Sequence, residues 1–414
     1  MNVSNNAKAE WRAFWFLPLT AALGYATSVL HIYSLGPFME PLAREFGWSR
    51  AQLSVGISVA AFTSGIFCIP IGILVDRVGP RRVGLIGVPV MSGVFALLST
   101  TTGTTANWIG LWVVIAVGTL FVQATVWTSA VASRFEASRG LAFAITLSGA
   151  SVAAALYPVL ATWLIGSYGW RTAFAAMGAG WAALVFPILV LFFRGAQDAI
   201  RKERAIAPSK VLPGVSVSDG LRSPALYKLL LASALFTFTA IGALVHFVPI
   251  LTDRGATPLG AAGIASLIGI FSIVGRLGTG ALLDRFAAHR IGATAFMLPV
   301  LAAALLLLDG ASPVSQSIAA AVLGLTVGSE VDVIAYLAAR HFGLKNFGAL
   351  YGALLMALSL GTATGPLAAG AVFDHYGSYG PFLMLTMLTM AASAIALGTL
   401  GTAPQGHAAT APST

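Results

Sequence analysis

The chain has 414 residues, of which 9% are charged and 57% are hydrophobic. Soluble proteins carry roughly 25% charged residues, so this composition excludes a soluble enzyme, a secreted domain and a disordered chain. It indicates a protein whose solvent is lipid. Cys68 is the single cysteine, which excludes a disulfide scaffold. The net charge of +9 would suit nucleic-acid binding, but the placement of the basic residues explains it differently.

Long apolar segments recur along the chain and predict twelve membrane-spanning helices. Each is near or above the roughly 20 residues that a helix needs to cross a bilayer. The predicted spans are 13–38, 51–75, 82–102, 106–132, 141–166, 171–193, 226–250, 259–283, 290–308, 313–338, 348–372 and 380–401. We therefore expect an all-α membrane protein in contact with lipid.

Most of the 23 Lys and Arg residues fall on one side of these spans if the N-terminus lies inside. The loops of the opposite side hold Arg44, Arg50, Arg171 and Arg254. Basic residues collect on the cytoplasmic side of membrane proteins. The distribution predicts cytoplasmic termini and accounts for the net charge without nucleic acid.

An internal repeat relates the two halves at an offset of 208 residues. Residues 72–77 match 280–285, and Pro158 matches Pro366 at the same offset. The polar segment between the sixth and seventh spans is rich in Pro, Gly and Ser. We predict two six-helix halves at 1–193 and 226–414, joined by a cytoplasmic linker at 194–225, with a short cytoplasmic tail.

A charged motif with the pattern G-x-L-x-D-R-x-G-x-R-R begins at Gly72 and ends at Arg82. It resembles the signature loop of the major facilitator superfamily, and residues 280–285 form a weaker copy. The resemblance implies the major facilitator fold, with a binding site at mid-membrane between the halves. It also implies that the motif residues gate the cytoplasmic side, namely Asp76, Arg77, Arg81, Asp284 and Arg285.

Ionisable residues inside the spans are candidates for function, since a charge in hydrocarbon costs at least a few kcal/mol. Arg276 lies mid-way along the eighth span, on a stripe with Ser272 and Thr279. Arginine stays charged, and its planar guanidinium matches a carboxylate. We interpret it as a clamp for an organic anion; the alternative is a structural ion pair with an acid of another span.

Glu330 and Asp332 in the tenth span are two residues apart, about 200° around a helix, and so point to different faces. Asp332 shares its face with Tyr336, which makes this face the better candidate for a cavity wall that touches substrate. Either acid could carry a transported proton, or could instead pair structurally.

Four further polar residues are candidates for substrate contact. His31 and His246 lie in the equivalent first and seventh spans, and a histidine can bind a carboxylate or a proton near neutral pH. Gln123 and Trp127, one turn apart in the fourth span, could line the opposite wall. Ordinary packing is the alternative for both histidines and for Trp127. The sequence shows no metal or nucleotide motif, so no cofactor is expected.

Residues 38–50 and 328–343, together with Gly275-Arg276, resemble the bacterial branch of the monocarboxylate transporter and oxalate/formate antiporter group. That resemblance implies a bacterial inner membrane and a carboxylate-binding role for Arg276. Three features depart from the group. Ser272 replaces the aspartate of animal monocarboxylate transporters, and the first span has no lysine where they use one, although His31 lies close to that position. Residues 348–372 hold no Lys or Arg. A single cation beside two acids suits a monoanion better than a dianion.

We therefore predict a monomeric, proton-coupled symporter of a small organic monocarboxylate, working by alternating access. An exchanger of carboxylates and a proton-driven exporter of drugs or metabolites are the alternatives. The arginine inside the membrane favours an anion over a drug. A non-transporting sensor is disfavoured because the linker and tail are short. The sequence leaves open which carboxylate is carried.

Overall fold

The computed structural model describes residues 3–195, 214–283, 285–309, 311–343 and 347–401. Within these ranges the chain is helical. The helices are α1 (Val3–Phe14), α2 (Phe16–Ser28), α3 (Leu30–Phe46), α4 (Arg50–Val78), α5 (Pro80–Ala96), α6 (Thr105–Leu120), α7 (Ala124–Ala132), α8 (Arg139–Phe192), α9 (Val217–Arg222), α10 (Pro224–Val245), α11 (Phe247–Thr252), α12 (Pro258–Leu283), α13 (Ala288–Asp309), α14 (Pro313–Phe342), α15 (Phe347–Tyr376) and α16 (Gly380–Gly398).

Every predicted span lies on one or two of these helices. Nine of the described helices are long and apolar enough to cross a membrane, or ten if the bent pair α2 and α3 forms one span. Helix α8 covers two predicted spans, because it bends at Gly169, whose φ of 78° is non-helical. The all-helical membrane fold expected from the sequence is confirmed.

Some predicted spans are broken rather than continuous. Helices α2 and α3 meet at an angle of 41°, and α6 and α7 are separated by the non-helical residues 121–123. Helices α10 and α11 meet at His246, whose φ of −93° and ψ of 5° depart from the helix. Such breaks leave backbone groups that need hydrogen-bond partners, since lipid offers none.

The described residues form two compact units. The first comprises the described residues up to Gly195 together with Thr257–Gly269, and the second comprises the described residues from 214 to Ala256 and from Ile270 onward, so that α12 is divided between the two. In the first unit α2 and α5 pack along α8, and α4 packs along α6. In the second, α10 packs along α15, and α13 contacts both α14 and α16.

Part of the predicted linker, residues 196–213, and the predicted tail from residue 402 lie outside the described residues.

Candidate functional site

The part of α12 from Ile270 onward, which belongs to the second unit, approaches α14 at two glycines. A Cβ atom at Gly328 would lie 1.9 Å from the carbonyl oxygen of Ser272, and one at Gly275 would lie 2.1 Å from that of Leu325. Small residues allow membrane helices to pack backbone against backbone. Next to this contact, Thr279 donates a 2.6 Å hydrogen bond to Ser329 across the helix pair. The contact fixes the register of the two helices.

An alanine at Gly328 should therefore push the helices apart. We expect Gly328→Ala to lower stability by about 1–3 kcal/mol, the usual cost of overpacking, measured as the unfolding midpoint in detergent. Gly278→Ala on α12 is the matched control, because a Cβ there meets no other described atom within 4 Å. Equal stability of the two variants would show that this contact is not tight.

The same register brings Arg276 of α12 to Asp332 of α14. Nη1 of Arg276 lies 3.2 Å from Oδ2 and 3.4 Å from Oδ1 of Asp332. The arginine side chain is 10% exposed and the aspartate side chain 31% exposed. Nε of Arg276 is buried and has no hydrogen-bond partner among the described residues. The sequence left a clamp and an ion pair as alternatives for Arg276; the ion pair is present in the structure.

Helix α14 separates the two acids as their spacing predicts. Asp332 and Tyr336 are half-buried, whereas Val333 and Leu337 belong to the hydrophobic core of the second unit. Glu330 is 6% exposed, and within the described part of the chain its Oε1 has no hydrogen-bond partner. The guanidinium of Arg340 lies 5.6 Å from the ring centroid of Tyr336. Asp332 is thus on a partly exposed face of α14, while Glu330 lies on its buried face.

His246 is fully buried, with both ring nitrogens bonded. Nε2 lies 2.9 Å from the carbonyl oxygen of Pro366, and Nδ1 lies 2.6 Å from the hydroxyl of Tyr379. A carbonyl accepts only, so Nε2 carries hydrogen, and in the neutral ring Nδ1 accepts from Tyr379. His246 therefore ties the break between α10 and α11 to α15. We leave it out of the substrate site.

Tyr379→Phe tests this structural role. The phenylalanine keeps the ring but leaves Nδ1 of His246 buried without its partner, which costs about 1–3 kcal/mol. The unfolding midpoint should fall accordingly, with little change in substrate affinity. Tyr376→Phe is the control, because Tyr376 is 62% exposed. A change in affinity without loss of stability would instead place His246 in the binding site.

The first unit holds the other three predicted contact residues. Trp127 is fully buried and donates a 2.8 Å hydrogen bond from Nε1 to the carbonyl oxygen of Val122, at the break before α7. A Cβ at Gly24 would lie 2.2 Å from its ring. These contacts assign Trp127 to packing. Gln123 is half-buried at the same break.

His31 lies just beyond the bend between α2 and α3. It is 5% exposed, and its ring meets that of Trp112 edge-on at 5.8 Å between centroids. No described residue bonds to its Nδ1. His31 therefore keeps a free ring nitrogen, unlike His246.

The predicted gating residues are described in part. Nη2 of Arg81 donates a 2.8 Å hydrogen bond to the carbonyl oxygen of Val190, near the end of α8. A cation there stabilises the helix C-terminus. Arg77 and Arg285 are exposed. The side chain of Asp76 and all of Asp284 lie outside the described residues.

A pattern in the sequence of α14 could have predicted the glycine contact. Gly324 and Gly328 form a G-x-x-x-G pattern on α14, which is typical of close helix contacts in membranes. Among the described residues, no three or more His, Cys, Asp or Glu side chains are grouped so that they could hold a metal ion.

Several known proteins are similar to this chain in sequence or in fold. The chain is 26% identical over 256 residues to the MFS transporter asaE of Aspergillus flavus, covering 60% of this chain and 54% of that protein. It is 27% identical over 276 residues to monocarboxylate transporter 13 of Bos taurus, covering 66% and 60%. The alignments thus span little more than half of each relative. The fold matches a single-residue variant of the nucleoside transporter NupG with a TM-score of 0.71 at 11% identity, over 93% of this chain and 98% of that one.

The profile of the Major Facilitator Superfamily matches residues 21–328, which is most of the chain. This match agrees with the helical membrane fold and with the signature motif of the loop between α4 and α5. The chain therefore belongs to the major facilitator superfamily of secondary transporters.

Proposed function

We propose that this transporter carries a small organic monocarboxylate together with one proton. The observation that supports this most is the Arg276–Asp332 pair, 3.2 Å apart on the partly exposed face of α14. An ion pair in a membrane span marks a substrate or ion pathway more often than it serves stability alone. The similarity to monocarboxylate transporter 13, at 27% identity, supports the same substrate class.

The pair suggests how substrate and proton are coupled. The terminal nitrogens of the Arg276 guanidinium offer two parallel N–H donors, so a substrate carboxylate that takes the place of Asp332 can bind it in the two-point geometry that arginine favours. A second anion next to Asp332 is unfavourable unless one of them is neutralised. Binding of the substrate therefore releases Asp332 from Arg276 and favours its protonation. Substrate and proton then occupy the site together.

Charge balance favours symport over obligatory exchange. In the empty site Asp332 neutralises Arg276, and in the loaded site the substrate carboxylate neutralises it while Asp332 holds a proton. The site has the same net charge in both states, so the empty carrier can return across the membrane without a charge penalty. An obligatory exchanger would be expected to leave its cation unpaired when empty.

Glu330 has a different role in this proposal. It is buried on the core face of α14, and an ionised carboxylate there without a partner would cost several kcal/mol. We therefore assign it a permanently held proton. His31, with its free Nδ1, and Gln123 remain candidates for contacts with the rest of the substrate.

The same proposal includes the topology and the gate. We assign the protein to a bacterial inner membrane as a monomer with both termini in the cytoplasm, because the basic residues favour that side. The motif between α4 and α5, with Asp76 and Arg81, would hold the cytoplasmic side closed.

Ligand-dependent stability tests the substrate class directly. The purified protein is heated with lactate, pyruvate or benzoate and with the corresponding amides. A ligand that binds the folded state raises the unfolding midpoint by an amount that grows with the logarithm of its concentration over Kd. We expect at least one monocarboxylate to stabilise the protein while its amide does not. Stabilisation by neutral compounds alone would favour the export of drugs or metabolites instead.

A further inference from the structure

The N-terminal helix α1 is fixed to the first unit by one carboxylate. Oε1 of Glu10 accepts hydrogen bonds from the backbone N–H groups of Glu136 and Ala137, at 2.9 and 2.8 Å. Oε2 accepts from the N–H and the hydroxyl of Ser138, at 3.1 and 2.7 Å. Ser138 is the residue that precedes α8. We call this set of contacts the Glu10 clasp.

Two aromatic contacts flank the clasp on the same face of α1. The rings of Trp11 and Phe135 are 5.0 Å apart, and the guanidinium of Arg134 lies 4.7 Å from the ring of Phe14. Residues 10, 11 and 14 lie on one face of a helix at this spacing. The contacts therefore fix how α1 is rotated about its axis.

The Glu10 clasp stays charged at physiological pH. Burial alone would raise the pKa of the Glu10 carboxyl, but the hydrogen bonds from residues 136–138 outweigh it and lower the pKa to about 2. A lowered pKa stabilises the folded state above the ordinary value near 4.5, and this contribution is lost as the pH falls toward 2. The orientation of α1 is therefore independent of pH in the physiological range.

The opposite face of α1 carries a stripe of exposed residues that changes from charged to apolar along the chain. Lys8 and Arg12 are exposed, Trp15 is 58% exposed and Leu19, in the first turn of α2, is 48% exposed. Trp15 N–H donates to the carbonyl of Trp11 at 3.0 Å, so the helical path continues from α1 into α2. The spacing of four, three and four residues puts all of them on one face, over about 16 Å of rise.

We propose that this stripe binds the headgroup of an anionic phospholipid in the cytoplasmic leaflet. The stripe follows the polarity profile of a bilayer. Its cations lie at the level of the phosphates, its tryptophan lies at the interface and its leucine lies below the interface. Helix α1 directly precedes the bent membrane span formed by α2 and α3, which sets its depth. The Glu10 clasp turns the cations toward the lipid. The inference rests on the proposed topology but not on the proposed substrate.

Lipid titration of the purified protein tests the site without any transport assay. Dioleoylphosphatidylglycerol is titrated into micelles that contain phosphatidylcholine, and the unfolding midpoint is recorded. We expect phosphatidylglycerol to stabilise the protein. The double variant K8Q/R12Q should need roughly tenfold to thirtyfold more of it, since the loss of each cation near an anionic surface weakens binding roughly threefold to fivefold.

Two comparisons make this result specific. The double variant R222Q/R290Q removes the same charge from other exposed positions and should bind phosphatidylglycerol within twofold of the wild type. Glu10→Gln should weaken binding several-fold although it removes no cation. The proposal is overturned if phosphatidylglycerol stabilises no better than phosphatidylcholine, or if both double variants lose binding equally. If Glu10→Gln bound phosphatidylglycerol as well as the wild type does, the Glu10 clasp would not orient the cations of α1.

Discussion

Replacing Arg276 by glutamine should reduce carboxylate uptake by roughly 100-fold or more. The substrate carboxylate would lose two charge-assisted hydrogen bonds, each worth about 1.5–3 kcal/mol. Arg276→Lys keeps the charge but loses the planar fork, so it should recover only a small part of the uptake. The measurement is initial uptake of a labelled monocarboxylate into proteoliposomes with matched amounts of inserted protein.

The loss must be separated from damage to the fold. Arg276→Gln leaves Asp332 without its cation, whereas the double variant Arg276→Gln/Asp332→Asn leaves no unpaired charge. We expect the double variant to regain stability but not uptake. Arg290→Gln, which removes an exposed arginine of the same unit, should transport normally. Normal uptake by Arg276→Gln would show that Arg276 does not bind the substrate.

Asp332→Asn should convert the symporter into an exchanger. The amide keeps the shape of the carboxyl but can neither neutralise Arg276 nor take up a transported proton. The empty site is then cationic, and its return across the membrane becomes unfavourable. Net uptake driven by an acidic exterior should fall at least tenfold, while exchange of labelled for unlabelled substrate persists.

Glu330→Gln provides the contrast on the same helix. If Glu330 keeps its proton throughout the cycle, its amide changes no charge, and uptake should still rise as the external pH falls. If Glu330→Gln lost proton-driven uptake while Asp332→Asn kept it, Glu330 and not Asp332 would carry the transported proton.

Local patterns of the sequence predicted the helices well. The length of an apolar run predicts a span, and each predicted span lies on one or more helices of the structure. The period of 3.6 residues per turn placed Glu330 and Asp332 on different faces of α14, because this depends only on their spacing. The turn at Gly79 between α4 and α5 follows from a glycine before a proline, and its φ is 93°.

Contacts between distant residues were not predictable in this way. Tyr379 is 133 positions from His246, and no local signal pairs them. The choice of Asp332 over Glu330 as the partner of Arg276 depends on the register of α12 against α14, which the two contact glycines set. The breaks at residues 121–123 and at His246 each contain one polar residue, Gln123 or His246, in an otherwise apolar run, and a single polar residue does not distinguish a break from a continuous helix. The clasp of Glu10 likewise joins residues more than 120 positions apart.

The central claim is that one proton crosses with each carboxylate, and simultaneous measurement of both fluxes tests it most directly. Proteoliposomes with a trapped pH indicator receive labelled substrate under an imposed pH gradient, with the membrane potential clamped by potassium and valinomycin. We predict one proton per substrate, accumulation of about tenfold per pH unit, and no response to the clamped potential. Uptake that ignores the pH gradient and requires a carboxylate inside the vesicle would contradict symport and identify an exchanger.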